Sequence, residues 1–321
     1  MIEPQSHAAS CRVCGAPLGE SPPSQARFCP HCGASQIVEW PPPDAQLYPP
    51  PADQYPFAFV PPARQPLDPD HPRWGIWTGI GVWVFSVAAL LVAQFAVVMI
   101  FYLIDQKNGT APLPGDREAL LAWLMSPRVL AATVYSTIVA HLLTVIFCWA
   151  VVTRLRSQPF FESLGWNWAG RSPLYWLLIA IAMFFGIGLV NRFVFQPLLP
   201  EKETSFDQLL KAGPQVRLAI AILASFSAPL VEEIVYRGVI FGGLRKRFSA
   251  TTTIIIVTLL FAGVHVPQYA GAWASLAGLM LLSLVLTVVR AKSRTLLPCI
   301  VIHFINNAVV SLVIVFGKGN P

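Results

Sequence analysis

The chain has 321 residues, of which 55 % are hydrophobic and only 12 % are charged. An ordinary globular domain carries about 25 % charged residues, so this composition excludes an ordinary soluble enzyme or binding domain. It predicts a protein of the lipid bilayer. The net charge of +6 comes from Lys and Arg clusters between long apolar runs. Such clusters are a membrane orientation signal, and we expect no nucleic-acid partner.

The N-terminal segment, residues 1–39, is predicted to be a zinc ribbon. Two Cys-x-x-Cys pairs, each followed by glycine and 14 residues apart, are formed by Cys11 with Cys14 and by Cys29 with Cys32. Four thiolates at this spacing supply a tetrahedral structural zinc site. Two disulfides are the alternative. We hypothesise that the ribbon binds a protein partner.

Residues 40–73 are predicted to be a linker, because twelve of them are proline. Proline-rich chain prefers an extended polyproline II conformation and acts as a spacer. We therefore expect this segment to separate the zinc ribbon from the membrane domain.

Residues 74–318 are predicted to form an all-α polytopic membrane bundle of about seven transmembrane helices, since about 20 apolar residues suffice for one span. Stretches with few or no charges lie at 75–104, 129–153, 172–191, 218–244 and 295–317, and residues 248–289 hold two more spans divided by a turn at 266–271. Two further amphipathic segments, 111–126 and 204–212, are predicted to be helices at the membrane interface.

The distribution of basic residues predicts how the chain is oriented. With a cytoplasmic N-terminus, 14 of the 22 Lys and Arg residues fall in cytoplasmic segments, including the tightest clusters. We therefore expect an integral protein of a bacterial cytoplasmic membrane, with its C-terminus outside. A cytoplasmic zinc ribbon would lie in a reducing compartment, which favours zinc over disulfides.

Two adjacent carboxylates, Glu232 and Glu233, lie near the middle of the fourth span, where each charge costs about 2.5–3.5 kcal/mol. Glu233 precedes Arg237 by four residues, the favourable order for an ion pair on one helix face. That pair would leave Glu232 without a cation on its own helix, and an unpaired buried carboxylate can act as a general base. Pro229, three residues earlier, is expected to kink the helix.

Three more polar side chains occur at similar depth in later spans: His265, His303 and Asn307. We expect them to meet Glu232 in one cavity, where a carboxylate, two imidazoles and an amide could activate a water for attack on a peptide carbonyl. Alternatively, Glu232, His265 and His303 could bind a catalytic divalent metal such as zinc. His141 is interpreted as an interhelical hydrogen-bonding residue, and Cys148 and Cys299 as packing residues.

Three motifs resemble those of the CPBP family, the CAAX proteases and bacteriocin-processing (Abi) proteins. They are EExxxR at 232–237, FxxxH at 261–265 and HxxxN at 303–307, on successive spans within a protease-like core at 173–316. The resemblance implies a helical membrane bundle and an endopeptidase that cleaves near the membrane. The best-known members remove the C-terminal tripeptide of prenylated CAAX proteins, but many bacterial members are not known to act on such substrates.

By this resemblance Glu232 is the catalytic base and Glu233 with Arg237 holds the site, while His265, His303 and Asn307 bind the water, metal or oxyanion. We therefore predict an intramembrane endopeptidase, with or without a metal, acting on a membrane-associated protein or peptide. The alternative is a non-catalytic immunity or scaffold protein whose zinc ribbon binds a partner. A proton-coupled transporter is disfavoured, because no related halves are visible in the sequence.

Overall fold

The computed structural model describes residues 67–113 and 115–316. The predicted zinc ribbon and the predicted linker up to residue 66 lie outside the described residues. The predictions made for both therefore stay predictions.

The described chain is a bundle of helices, six of which are long and apolar enough to cross a membrane. These six are α1 (Ile76–Lys107), α3 (Pro127–Thr153), α5 (Pro173–Leu198), α7 (Pro214–Arg245), α9 (Trp273–Ser293) and α10 (Leu297–Phe316). The shorter helices are α2 (Arg117–Leu124), α4 (Phe160–Ser163), α6 (Ser205–Lys211) and α8 (Ala250–His265). The predicted all-α polytopic membrane bundle is confirmed.

The fifth predicted span is α8, which has 16 residues and is therefore about 24 Å long. It begins at the cap formed by Ser249, whose hydroxyl oxygen accepts from the amide of Thr252. It ends at His265, where the predicted turn at 266–271 begins. Gly271 closes that turn with a φ of +96°, a conformation that side chains resist. The helix is shorter than a bilayer core of about 30 Å.

Both segments that were predicted to lie at the membrane interface contain a helix, α2 in the first and α6 in the second. Asp105, buried near the end of α1, accepts hydrogen bonds from the indole of Trp123 (2.8 Å) and from Arg128 (3.0 Å). These bonds tie the ends of α1, α2 and α3 together. The start of α6 is a capping box between Thr204 and Asp207.

The core lies around the second half of α7, which packs against α1, α3 and α10. The buried side chains there include Val239, Phe241 and Phe261. Large apolar side chains on the outside of the bundle are bare, as Leu91 (61 % exposed) and Phe95 (67 %) on α1 show. Such a surface suits lipid and would be an aggregation hazard in water.

The hydrogen-bonding pattern of α7 widens from α-helical to π-helical over Leu223–Ser227 and again over Glu233–Ile240. Pro229, the predicted kink residue, lies between the two widened stretches. π-Helical turns are rare and are frequent at functional sites. The second stretch carries Glu233 and Arg237.

Candidate active site

Glu233 and Arg237 form the ion pair that their spacing predicts. Arg237 Nη1 donates to Glu233 Oε1 at 3.0 Å, and both side chains are fully buried. The remaining donors of Arg237 reach α9: Nη2 donates to the hydroxyl of Ser283 (2.8 Å) and to its carbonyl (3.1 Å), and Nε donates to the hydroxyl of Thr287 (3.3 Å). The guanidinium also lies 4.5 Å from the ring centre of Phe261. These hydrogen bonds satisfy the buried guanidinium and fix the side chains that it contacts.

His303 joins the two glutamates. Its Nδ1 donates to Glu233 Oε1 at 2.8 Å, and its Nε2 lies 3.8 Å from Glu232 Oε2. In the neutral ring the Nδ1 proton is therefore used by Glu233, and Nε2 is an acceptor that faces Glu232. The separation is too long for a direct hydrogen bond and suits a bridging water. The sequence predicted that His303 would face the water, but not that it would bind Glu233.

Glu232 differs from its neighbour because its side chain is 23 % exposed, to the cavity described below. No cation follows it at i+4, as expected. The two adjacent carboxylates therefore have different environments: Glu233 is neutralised by Arg237, and Glu232 faces an open space. Paired carboxylates in unequal surroundings commonly take different chemical roles.

Hydrogen bonds to backbone carbonyls orient His265 and Asn307, the first to a carbonyl of its own helix and the second to a carbonyl of α7. His265 Nδ1 donates to the carbonyl of Phe261 at 2.8 Å, which leaves Nε2 free for another partner. Asn307 Nδ2 donates to the carbonyl of Ala224 at 3.0 Å, and its oxygen accepts from Asn306 at 3.1 Å. The Asn307 amide nitrogen has a second hydrogen to donate.

These groups line one cavity with a volume of about 600 Å³. Glu232, His265, His303 and Asn307 all contribute to its wall, as the depth argument predicted. Most of the remaining wall is apolar and comes from α1, α3, α7, α8 and α10. An apolar cavity in which a few polar groups converge is the usual form of a small binding site.

Sequence reasoning missed further polar side chains of this cavity, among them His141 and Tyr269. His141 on α3 makes the predicted interhelical hydrogen bond, with Nδ1 2.6 Å from Ser227 Oγ on α7, but it also lines the cavity. Tyr269, in the turn after α8, lines it too. Burial raises the pKa of Tyr269 to about 12, with nearby carboxylates including Glu232 adding to the rise, so its hydroxyl stays a hydrogen-bond donor at neutral pH. Neither residue belongs to a motif.

The expected metal ligands line the cavity without forming a ligand group. Within 67–113 and 115–316, no three His, Cys, Asp or Glu side chains are arranged so that they could hold a metal ion. His303 and His265 use Nδ1 to bind Glu233 and the carbonyl of Phe261, as metal-ligating histidines commonly do, and both Nε2 atoms stay available. The predicted catalytic metal therefore stays a prediction. Cys148 and Cys299 are buried free thiols, in agreement with packing roles.

Comparison with known proteins gives two findings. Residues 214–309, from the start of α7 into α10, match the family described as "Type II CAAX prenyl endopeptidase Rce1-like". An Escherichia coli protein described as "Uncharacterized 24.3 kDa protein" is 31 % identical over 131 residues, which is 40 % of this chain and 58 % of that relative. The match thus spans little more than half of the relative. No solved structure matches the chain.

Proposed function

We propose that this chain is an intramembrane endopeptidase of the Rce1-like CAAX-protease family, whose model residues 214–309 match, with Glu232 as its general base. The observation that carries the proposal is the pairing of the Glu232 carboxylate with His303 Nε2, 3.8 Å apart at the cavity wall. A water beside this pair, on the cavity side, would be within hydrogen-bond reach of both the carboxylate oxygen and Nε2.

In the proposed reaction, Glu232 takes a proton from this water as the water oxygen bonds to the carbonyl carbon of the scissile peptide. His303, fixed by its bond to Glu233, orients the water through Nε2. The second amide hydrogen of Asn307 donates to the oxyanion that develops, and His265, which lines the same cavity, is the second group proposed to contact it. The C–N bond then breaks, and Glu232 returns its proton to the leaving amine. The products are a carboxylic acid, which keeps the second proton of the water until it ionises, and a free amine.

The cavity supports a substrate that is associated with the membrane. Its walls are mainly apolar, and helices that form them, such as α1 and α3, also expose large apolar side chains. An apolar or lipid-modified segment of a protein or peptide would leave water to enter such a space. We propose this substrate class, which includes the CAAX proteins named in the family description.

The test compares protein termini in cells that express equal amounts of wild type, Glu232→Gln or Glu162→Gln. Glu162 is an exposed carboxylate on α4, so its variant makes the same chemical change outside the cavity. We expect new peptide ends with wild type and Glu162→Gln, and their absence with Glu232→Gln. Identical termini in all three strains would contradict the protease and favour the immunity or scaffold alternative.

A further inference from the structure

The π-helical stretch of α7 accepts two hydrogen bonds from outside its own helix. Arg290 Nε, on α9, donates to the carbonyl of Arg237 at 3.0 Å. The indole nitrogen of Trp74, just before α1, donates to the carbonyl of Val239 at 2.9 Å. Each carbonyl has two lone pairs, so both can accept such bonds whatever their helical partners are. The two contacts flank Gly238 and hold the backbone that carries Arg237.

Arg290 is itself held by the segment that precedes α1, residues 67–75, which we call the pre-helix segment. Arg290 Nη1 donates to Asp70 Oδ1 at 2.8 Å, and Arg290 Nη2 donates to the carbonyl of Pro69 at 3.1 Å. The Arg290 side chain is fully buried, and Asp70 is 6 % exposed. A buried guanidinium requires such a carboxylate, because an unpaired charge in the interior is very costly.

Two glycines on α7 let the pre-helix segment approach this closely. A Cβ on Gly242 would lie 3.0 Å from the carbonyl oxygen of Pro69, and one on Gly243 would lie 2.8 Å from that of Gly75. The end of the predicted linker is therefore packed directly on the helix that bears the active site.

One face of α9 binds both the side chain and the main chain of Arg237. Ser283 and Thr287 bind its guanidinium, and Arg290 binds its main-chain carbonyl. These three side chains are spaced i, i+4 and i+7, which places them on one face of a helix. Arg237 in turn binds Glu233, and Glu233 binds His303.

We propose that Arg290 is a positioning residue for the active site, and that Asp70 and Trp74 in the pre-helix segment hold it and the π-helical stretch in the working geometry. The chain of contacts runs from Asp70 through Arg290 to the backbone of Arg237, and from there to Glu233 and His303. The expected effect of this chain of contacts on proteolysis rests on the proposed function. The expected effect of the same contacts on the structure of α7 does not.

The first test is hydrogen–deuterium exchange of the full chain in detergent micelles. Asp70→Asn should speed exchange of the amides at 233–241 by about tenfold relative to those of α5 in the same sample, since local opening becomes cheaper. The matched control is Asp68→Asn. Asp68 pairs with Arg294 at the surface (side chains 35 % and 55 % exposed), where an ion pair contributes little, and its Oδ1 accepts from the amide of Asp70 at 2.9 Å. Asparagine keeps an oxygen that can accept this bond, so exchange should stay close to the wild-type value.

A second variant covers the case in which Asp70→Asn does not fold. Trp74→Phe keeps the aromatic ring but removes the N–H that reaches Val239, and we expect faster exchange confined to the same stretch. Unchanged exchange at 233–241 in the folded variants would overturn the proposal. So would exchange that rises equally in every spanning helix, because that is a general loss of stability.

The activity arm uses the comparison of cellular termini. Termini that depend on Glu232 should decrease with Asp70→Asn and with Trp74→Phe, and should persist with Asp68→Asn. If wild type produces no such termini, the proposed function fails while the exchange result still decides the positioning role. If the termini persist with both Asp70→Asn and Trp74→Phe, the positioning role is contradicted.

Discussion

One oxygen of Glu233 receives two hydrogen bonds, from Arg237 and His303, while the other has no hydrogen-bond partner among the described residues. A buried, unpartnered carboxylate oxygen is costly unless a water or another donor reaches it. Glu232, one residue earlier, carries the opposite combination of a partly exposed carboxylate and no close cation on its own helix. The two residues should therefore respond differently when the same chemical change is made in each.

Replacing Glu233 by Gln should unfold the protein more easily, and replacing Glu232 by Gln should not. Glu233→Gln leaves Arg237 buried without a carboxylate, a change that costs about 3–5 kcal/mol. Glu232→Gln keeps the shape of a cavity-facing side chain while removing the base. Thermal unfolding in detergent should show a large decrease of the midpoint for the first variant and a near wild-type midpoint for the second. Equal decreases would contradict the division of roles between the two carboxylates.

The sequence predicted the Glu233–Arg237 pair because both residues lie on one helix, where spacing determines contact. It predicted one cavity for Glu232, His265, His303 and Asn307 because depth along a span follows from counting residues. It could not predict the bond between His303 and Glu233, since the rotation of α10 about its axis is set by packing. The roles of Ser283, Thr287 and Arg290 were also hidden, because α9 carries no motif.

At the scale of elements, α7 combines the active site with the packing surface for the pre-helix segment. Its length was predicted well, from 218–244 in the sequence to Pro214–Arg245 in the structure. Its π-helical stretches were not predictable. A wider helical turn shifts the spacing of apolar residues, but this shift cannot be seen in a helix that is apolar on all sides. The pre-helix segment was assigned to the linker through residue 73 because prolines dominate its composition, which says nothing about where it packs.

Gly243→Ala should destabilise the protein through this packing surface. The added methyl would lie 2.8 Å from the oxygen and 3.1 Å from the carbon of the Gly75 carbonyl, and backbone atoms yield only at a cost of about 1–3 kcal/mol. Gly81→Ala is the matched control, because a Cβ there meets nothing within 4 Å. The unfolding midpoint should decrease for the first variant and stay equal or increase slightly for the second. Equal midpoints would show that the segment does not pack tightly on α7.

At the scale of the whole membrane domain, the basic segments gather at one end of the bundle. Asp70, before α1, lies 2.8 Å from Arg290 near the end of α9 and 3.8 Å from Arg245 at the end of α7. The amide of Leu296 donates to the carbonyl of Gly165 at 2.8 Å, so the loop after α3 reaches this end as well. The segments that the charge count assigned to the cytoplasm are thus neighbours in space.

The zinc prediction is tested on the intact protein by measuring its metal content. Full-length protein should carry one zinc per chain, and Cys11→Ser with Cys14→Ser should remove it, because two thiolates cannot hold a structural site. Cys148→Ser with Cys299→Ser is the control, since both thiols are buried in the membrane domain. Zinc that survives the first pair of substitutions would contradict the ribbon. A second metal equivalent that is lost with Glu232→Gln would favour the alternative in which Glu232, His265 and His303 bind a catalytic metal.

The position of the C-terminus distinguishes two ways of counting the helices. Six long helices alone make an even number of crossings, which would leave both termini on one side of the membrane. The C-terminal ends of α7 and α9 lie together beside Asp70. Helix α8 must therefore run away from this end of the bundle, so that α9 can run back to it. Helix α10 then runs away from this end again. We therefore predict a cytoplasmic N-terminus and a C-terminus outside. After Pro321, fused alkaline phosphatase should be active and fused green fluorescent protein should not fluoresce. Before Met1, fused alkaline phosphatase should be inactive and fused green fluorescent protein should fluoresce. A fluorescent C-terminal fusion would mean that α8 and α9 do not form this hairpin in the membrane.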